Sequence, residues 1–275
     1  MLEIPESHTL ARQINETMIG KTVCRVVAGQ TPHSFAWYSG DCALYDPMLR
    51  GKRVTEACAY GGMVEVRIGD MELLFGDGAS PRLWESEDEA PKKHQLFIAF
   101  TDGACLTATV QMYGGLWLTP QGMNDNAYVL GAKAKPSPLE DAFDEAYFAS
   151  LCGEKEKKRS VKAFLATEQR VPGLGNGVLQ DILWTAGVHP KRKMDTLSPQ
   201  EWHALYRAVK DVLGDMTRLG GRATERDLFG QPGGYAGVLS RQTLALPCPR
   251  CGGTKRRAPY MGGNIYWCEE CQREA

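Results

Sequence analysis

The chain has 275 residues, enough for one large domain or two modest ones. With 43% hydrophobic, 24% charged and 9% aromatic residues it is neither disordered, collagen-like nor coiled coil, and no apolar run reaches the roughly 18 residues of a membrane span. Net charge is −1, but residues 1–150 hold 12 Lys and Arg against 20 Asp and Glu, whereas residues 151–275 hold 20 against 13, so a polyanion is expected on the back half.

The opening MLEIPES carries acids where an export signal needs basic and then apolar residues, which predicts a cytoplasmic protein, nucleoid-associated in a bacterium. Leu10, Ile14 and Met18 recur at steps of four, so Glu6 to Met18 reads as an amphipathic helix, with Gly20 as its stop. From Thr22 to about Leu118 the pattern becomes short β-rich runs, among them Thr22–Val27, Met63–Ile68, Leu96–Phe100 and Cys105–Val110. Turn pairs such as Gly69-Asp70 and Asp102-Gly103 separate them, as in an antiparallel sandwich or barrel. The acidic stretch Glu85–Glu89 reads as a solvated loop, and residues 131–138 as a linker.

Helical periodicity follows. Leu139, Phe143, Tyr147 and Leu151 share one face, Lys157–Thr167 forms a basic helix, and Asn176–Ala186 a third, closed by Gly187. A fourth opens on a capping box, Ser198-Pro199 with Glu201, and runs to Gly220-Gly221. A Gly-rich loop, Arg222 to Ser240, leads into the last segment. The expected architecture is α+β: an N-terminal helix and β-sandwich (1–130), a linker (131–138), a helical domain with its loop (139–240) and a metal-clipped hairpin (241–275). Between the second and third helices, Gly173 and Gly175 permit close backbone approach, and Asn176 stands at a helix start that favours phosphate. With Arg159 and Lys162 on the basic helix and Lys255, Arg256 and Arg257 on the hairpin, this reads as a clamp for a nucleic-acid backbone.

Nine cysteines without an export signal argue against a disulfide framework. Cys24, Cys42, Cys58, Cys105 and Cys152 are scattered among apolar neighbours, as small buried hydrophobes would be. Cys248-Pro-Arg-Cys251 and Cys268-Glu-Glu-Cys271 are different: two C-x2-C turns, 16 residues apart, aim four thiolates at one tetrahedral zinc ion. Such a site has no open position, so the metal would hold the fold. The five histidines show no ligand spacing.

The order of parts resembles the formamidopyrimidine-DNA glycosylase / endonuclease VIII family. The matching strings are Glu3-Ile4-Pro5-Glu6, then Val171-Pro-Gly-Leu-Gly-Asn176 with Val188-His189-Pro190, and Pro247-Cys248 through Cys271-Gln272. The resemblance implies a helix–two-turns–helix motif, one zinc ion, a monomer and duplex DNA, damaged bases included, as partner. It also implies base excision through an N-terminal proline amine that attacks C1′, with a neighbouring glutamate handling protons. Carried over, Glu3 matches that glutamate, Glu6 the second acid, Asn176 the phosphate-binding asparagine and Tyr113 a wedge in the gap left by the flipped base. The proline is replaced by Leu2, which leaves the Met1 amine as the remaining candidate nucleophile. The alignment also places Gly62 at the sandwich lysine, Gly263 at the hairpin arginine and Gly78 at an intercalating methionine. These losses favour a damaged-DNA-binding relative without standard catalysis. The alternatives are a DNA glycosylase/lyase using the Met1 amine or a water activated by Glu3, and a protein-interaction scaffold. Arg222, Arg226 and Phe229 lie where the family has its lesion-covering loop, and read equally as contacts to a flipped base or as a mobile surface segment.

Overall fold

A computed structural model describes residues 1–274. Helix α1 (Ile4–Thr17) starts at Pro5 in its first turn and buries Leu10 and Ile14; Gly20 beyond it takes a left-handed φ of +86°. Strands β1 (Val23–Ala28) and β2 (Ala36–Tyr38), helix α2 (Tyr45–Leu49), and strands β3 (Val54–Tyr60), β4 (Met63–Ile68), β5 (Met71–Trp84), β6 (Leu96–Phe100) and β7 (Cys105–Pro120) complete the front half. They form one seven-stranded sheet in the order β1-β6-β7-β5-β4-β3, antiparallel except where β2 joins β7 in parallel.

The sheet wraps because its two longest strands bend. β5 and β7 pair from Met71↔Pro120 to Trp84↔Cys105, with a bulge between Asp77 and Ala79. Gly78 is confined there: a Cβ would lie 2.1 Å from the Gln111 carbonyl oxygen. Alternation places Leu73, Phe75, Leu96, Ile98 and Phe100 on the inner face, against Leu10 and Ile14 of α1 and Met18 just beyond it.

Residues 131–138 begin inside a helix rather than a linker. Helix α3 (Ala127–Lys133) packs Val129 and Ala132 on Met63 and Leu74, and the Lys133 ammonium pairs with the buried Glu65 carboxylate. The expected helix over 139–151 is shorter: Asp144 accepts from the Tyr147 N–H at 2.7 Å and starts α4 (Glu145–Ser150) there. The basic helix expected over Lys157–Thr167 starts later, because Ser160 caps it: α6 covers Val161–Ala166, and a short α5 (Glu154–Lys157) precedes it. Helix α7 (Asn176–Ala186) ends on left-handed Gly187, and α8 (Pro199–Arg218) opens with the expected Ser198/Glu201 capping box. A two-stranded hairpin, β8 (Lys255–Tyr260) and β9 (Gly263–Cys268), closes the chain.

The two halves interlock. Ile4, from the first turn of α1, sits in the helical core with Phe164, Val178 and Ile182, whereas Leu228, from the loop after α8, is fully buried in the sandwich core.

Candidate nucleic-acid interface and the N-terminal clasp

The start of the chain lies where the halves meet. The Glu3 carboxylate is buried and accepts from the Gly177 N–H (2.9 Å) and the Val178 N–H (2.8 Å), two of the free donors in the first turn of α7. The helix start that the sequence offered to a phosphate thus holds the protein's own anion. Arg222 lies beside it, with Nη1 3.4 Å from Glu3 and with Nε and Nη2 donating to Glu6 at 2.9 and 2.8 Å. Burial pushes the Glu3 pKa up, and the Arg222 charge and the two amides pull against that rise. Burial works against the Arg222 cation, but Glu3 and Glu6 outweigh it and hold its pKa above the ordinary value. Gly175 and Gly177 make room for this packing. A Cβ on Gly177 would lie 1.5 Å from Arg222 Nη1, and one on Gly175 would lie 2.7 Å from the Glu3 carboxylate.

The residues before Glu3 are also engaged. The Leu2 N–H donates to the Asp77 carbonyl at 2.8 Å, and the Met1 amine pairs with Glu225 at 2.8 Å. Glu225 belongs to the loop after α8, whose Arg222 is buried against Glu3 and Glu6 and whose 227–228 stretch is tied to α1. Its Leu228 N–H donates to Gln13 Oε1, and Gln13 Nε2 donates to Asp227 (2.8 Å). Arg226 lies on the rim of a small cavity, about 80 Å³, beside Met1 and Leu2, and Phe229 is exposed.

A larger cleft of about 630 Å³ opens between the halves. Its walls carry Trp37, Tyr113, Tyr128 and Met112, the carboxylates of Glu3, Asp77 and Glu168, and Asn176; among the described residues no Lys or Arg lines it. The Trp37 and Tyr113 ring centroids are 5.9 Å apart, and the Tyr113 hydroxyl reaches Met1 Sδ at 3.9 Å. Burial pushes the Asp77 pKa up, opposed by the Tyr128 hydroxyl at 3.4 Å. Asp77, Met112, Glu168 and Gln169 all hold φ between 47° and 61°, so four non-glycine residues in the left-handed region surround one cavity. A separate pocket of about 250 Å³ lies behind Asn176, between Gly177, Asp181, Arg222, Tyr235 and Thr243.

On the hairpin, Cys248, Cys251, Cys268 and Cys271 bring their sulfurs within 4.8 Å of one another. Neighbouring sulfurs are 3.4–3.8 Å apart, which fits the edge of about 3.8 Å expected for four thiolates at the zinc–sulfur distance. The Trp184 indole N–H donates to Cys248 Sγ at 3.4 Å; burial opposes ionisation, but this and backbone donors bring that thiol down to about 6.

Several expected phosphate contacts are spent inside the protein. Lys162 is buried and donates to the Tyr260 carbonyl at 2.7 Å, and Lys255 is buried and donates to Val238 and Thr243 carbonyls at 2.8 and 3.3 Å. Both hold the hairpin rather than a ligand. Asn176 donates to the Asn264 carbonyl (3.0 Å) and accepts from Gln180 (3.1 Å), so its amide also ties the hairpin to α7. Arg159 pairs with Glu168 and Arg256 with Glu269, each at 2.6 Å. Arg257 is exposed and has no ion pair among the described residues.

Residues 135–227 match the model of the formamidopyrimidine-DNA glycosylase H2TH domain. A formamidopyrimidine-DNA glycosylase of Cronobacter sakazakii is 30% identical over 282 residues, spanning 99% of this chain and 100% of that protein. The chain belongs to this glycosylase family. The Enterococcus faecalis formamidopyrimidine-DNA glycosylase is 27% identical over 280 residues, covering 99% and 98% of the two chains. Among solved structures, the MutM (Fpg) protein of Thermus thermophilus aligns with a TM-score of 0.82 at 27% identity, covering 99% of each chain. The wild-type Lactococcus lactis Fpg in complex with an N7-benzyl-Fapy-dG containing DNA aligns at 0.83 with 25% identity, covering 99% and 100%.

Two of the three glycines that the alignment set against family side chains, Gly62 and Gly78, have no room for a larger side chain. A Cβ on Gly62 would meet the Leu2 carbonyl oxygen at 2.7 Å, and Gly78 is blocked by Gln111 and Tyr113. A Cβ on Gly263 would lie 3.5 Å from the Asn176 amide, an ordinary contact distance. Sequence reasoning missed Trp37, Asp77, Tyr128 and Glu225. Trp37 reaches the cleft only through the parallel pairing of β2 with β7, and Asp77 only through the bulge; the charge of Glu225 was its one visible signal.

Proposed function

We propose that this chain is a DNA-binding member of the family that does not carry out strand chemistry through an N-terminal amine. One observation carries the reading: the residues before Glu3 are tied down, Leu2 to Asp77 and the Met1 amine to Glu225. An amine attacks only as a free base set against its electrophile. Here it is in an ion pair, and no proline occupies position 2. Glu3, which would move protons, has its oxygens on two backbone amides and beside Arg222. A water activated by Glu3 is disfavoured on the same ground.

Support for DNA as the partner comes from the family, from the relative solved with DNA, and from the basic surface of the back half. That surface surrounds the hairpin tip. Lys191 lies over the Tyr260 ring at 5.7 Å, Ser160 bridges to Lys193, and Arg257 stands on the adjoining strand. Arg159 and Arg256 become phosphate contacts by exchanging their carboxylate partners. The hairpin beneath is held by one structural zinc ion on the four cysteines.

The test is binding to an abasic-site duplex across a salt series, with Arg257→Glu and Lys191→Glu as variants. The wild type binds without nicking, and each variant weakens binding and flattens the logarithmic salt slope by about 0.9. Nicking at rates typical of the family, or an unchanged slope in both variants, contradicts the reading.

A further inference from the structure

The segment that leads into the hairpin carries a surface for which DNA binding has no use. The Leu246 N–H donates to the Thr243 carbonyl at 3.1 Å and closes a turn with Leu244 and Ala245 at its corners. Turn corners normally hold Gly, Pro, Asn, Asp or Ser. Here they are apolar, and Ala245, Leu246 (57% exposed) and Pro247 follow one another in solvent. The segment is not loose. The Asp181 carboxylate accepts from the Val238 and Leu239 N–H groups, each at 2.8 Å, and Lys255 donates to the Val238 and Thr243 carbonyls. A run of apolar residues held out to water on a fixed segment adds nothing to the fold and marks a contact surface.

The charge around this run has one sign. Residues 228–268 contain five Lys and Arg and no Asp or Glu. Arg241 precedes the turn and Arg250 follows it; both are exposed, and neither pairs with a carboxylate among the described residues. Stacking on the Trp184 ring at 4.3 Å and a bond to the Thr185 carbonyl at 3.3 Å fix the Arg250 guanidinium without neutralising it. Nucleic acid would meet the positive charge, but its phosphates gain nothing from Leu244 and Leu246. We propose that the 241–250 segment docks an acidic peptide with apolar side chains, supplied by another protein. This site goes beyond the DNA-binding reading and lies apart from the surface used there. In the hairpin, Lys255 pairs with Cys268 at the base and Tyr260 with Gly263 at the tip. Base and tip are roughly 16 Å apart along the strand, so a peptide at the base leaves the tip free for DNA.

The experiment is fluorescence anisotropy of the full chain with a labelled synthetic peptide, Asp-Asp-Leu-Phe repeated three times, and with a control peptide in which Ser replaces every Leu and Phe. Wild type, the double variant Leu244→Ser with Leu246→Ser, Arg241→Glu and Arg257→Glu are compared, with far-UV circular dichroism confirming the fold of each. The apolar peptide is expected to bind the wild type about 10-fold or more tighter than the control. The double variant and Arg241→Glu should each weaken it about 5- to 30-fold, as loss of an interface anchor does. Arg257→Glu, nearer the tip, should stay within twofold, and excess duplex DNA should not displace the peptide. Equal binding of the two peptides, or a less than twofold effect of both the double variant and Arg241→Glu, overturns the inference. Displacement by DNA, or loss of peptide binding in Arg257→Glu, also overturns it, because the peptide would then occupy the DNA surface. The DNA-binding reading stands or falls separately, on duplex binding alone.

Discussion

Arg222 sits at the centre of the buried charge at residue scale. It was expected to face a flipped base or solvent, and instead its guanidinium lies between Glu3 and Glu6 and donates to the Met1 carbonyl at 3.3 Å. Removing one partner of such a group leaves the others charged and unpaired, which costs about 3–5 kcal/mol. Arg222→Met should therefore destabilise the protein by that order in denaturant melts, and Gly177→Ala, which drives a methyl into the same guanidinium, should also destabilise it. Wild-type stability in Arg222→Met would mean that the clasp does not form. The glycines of residues 173–177 show why this was not legible in the sequence. Their demand for close approach could be read, but a phosphate and a buried carboxylate make the same demand on a backbone, and only the fold brings Glu3 to it.

At the scale of elements, the features set by local chemistry could be read directly. The capping box at Ser198, the glycine stop at Gly187 and the two C-x2-C turns stand where the sequence puts them. The features that depend on tertiary pairing could not: α3 is held by its packing on Met63 and Leu74, and β2 by its parallel register with β7. Lys162 and Lys255 were misread for a related reason, since a lysine in a basic stretch looks the same whether its ammonium meets a phosphate or a backbone carbonyl. Because Lys162, Asn176 and Gln180 all fasten the hairpin to α6 and α7, metal removal should reach beyond the hairpin. Chelation, or Cys251→Ser, is expected to lower the melting temperature of the whole chain, with Trp fluorescence and far-UV signals moving together. A hairpin that melts alone, with the rest unchanged, would contradict this.

At the scale of the molecule, the two halves exchange anchors: Ile4 enters the helical core and Leu228 the sandwich core, with the Glu3–Glu6–Arg222 clasp between them. That exchange is the reason for expecting one cooperative unit rather than a sandwich that folds independently of the four-cysteine hairpin. It also separates two surfaces by charge, an aromatic and acidic cleft and a basic back half, which the chain's net charge of −1 conceals. The same closure occupies the N-terminal residues, because Glu225 and Arg222 come from the back half and Asp77 from the front. Borohydride reduction in the presence of abasic-site DNA tests this account most directly. The wild type should give no covalent adduct at concentrations where the DNA is bound. An adduct formed in good yield and lost when the α-amine is blocked would show that the amine leaves Glu225 to attack the sugar, and would contradict it.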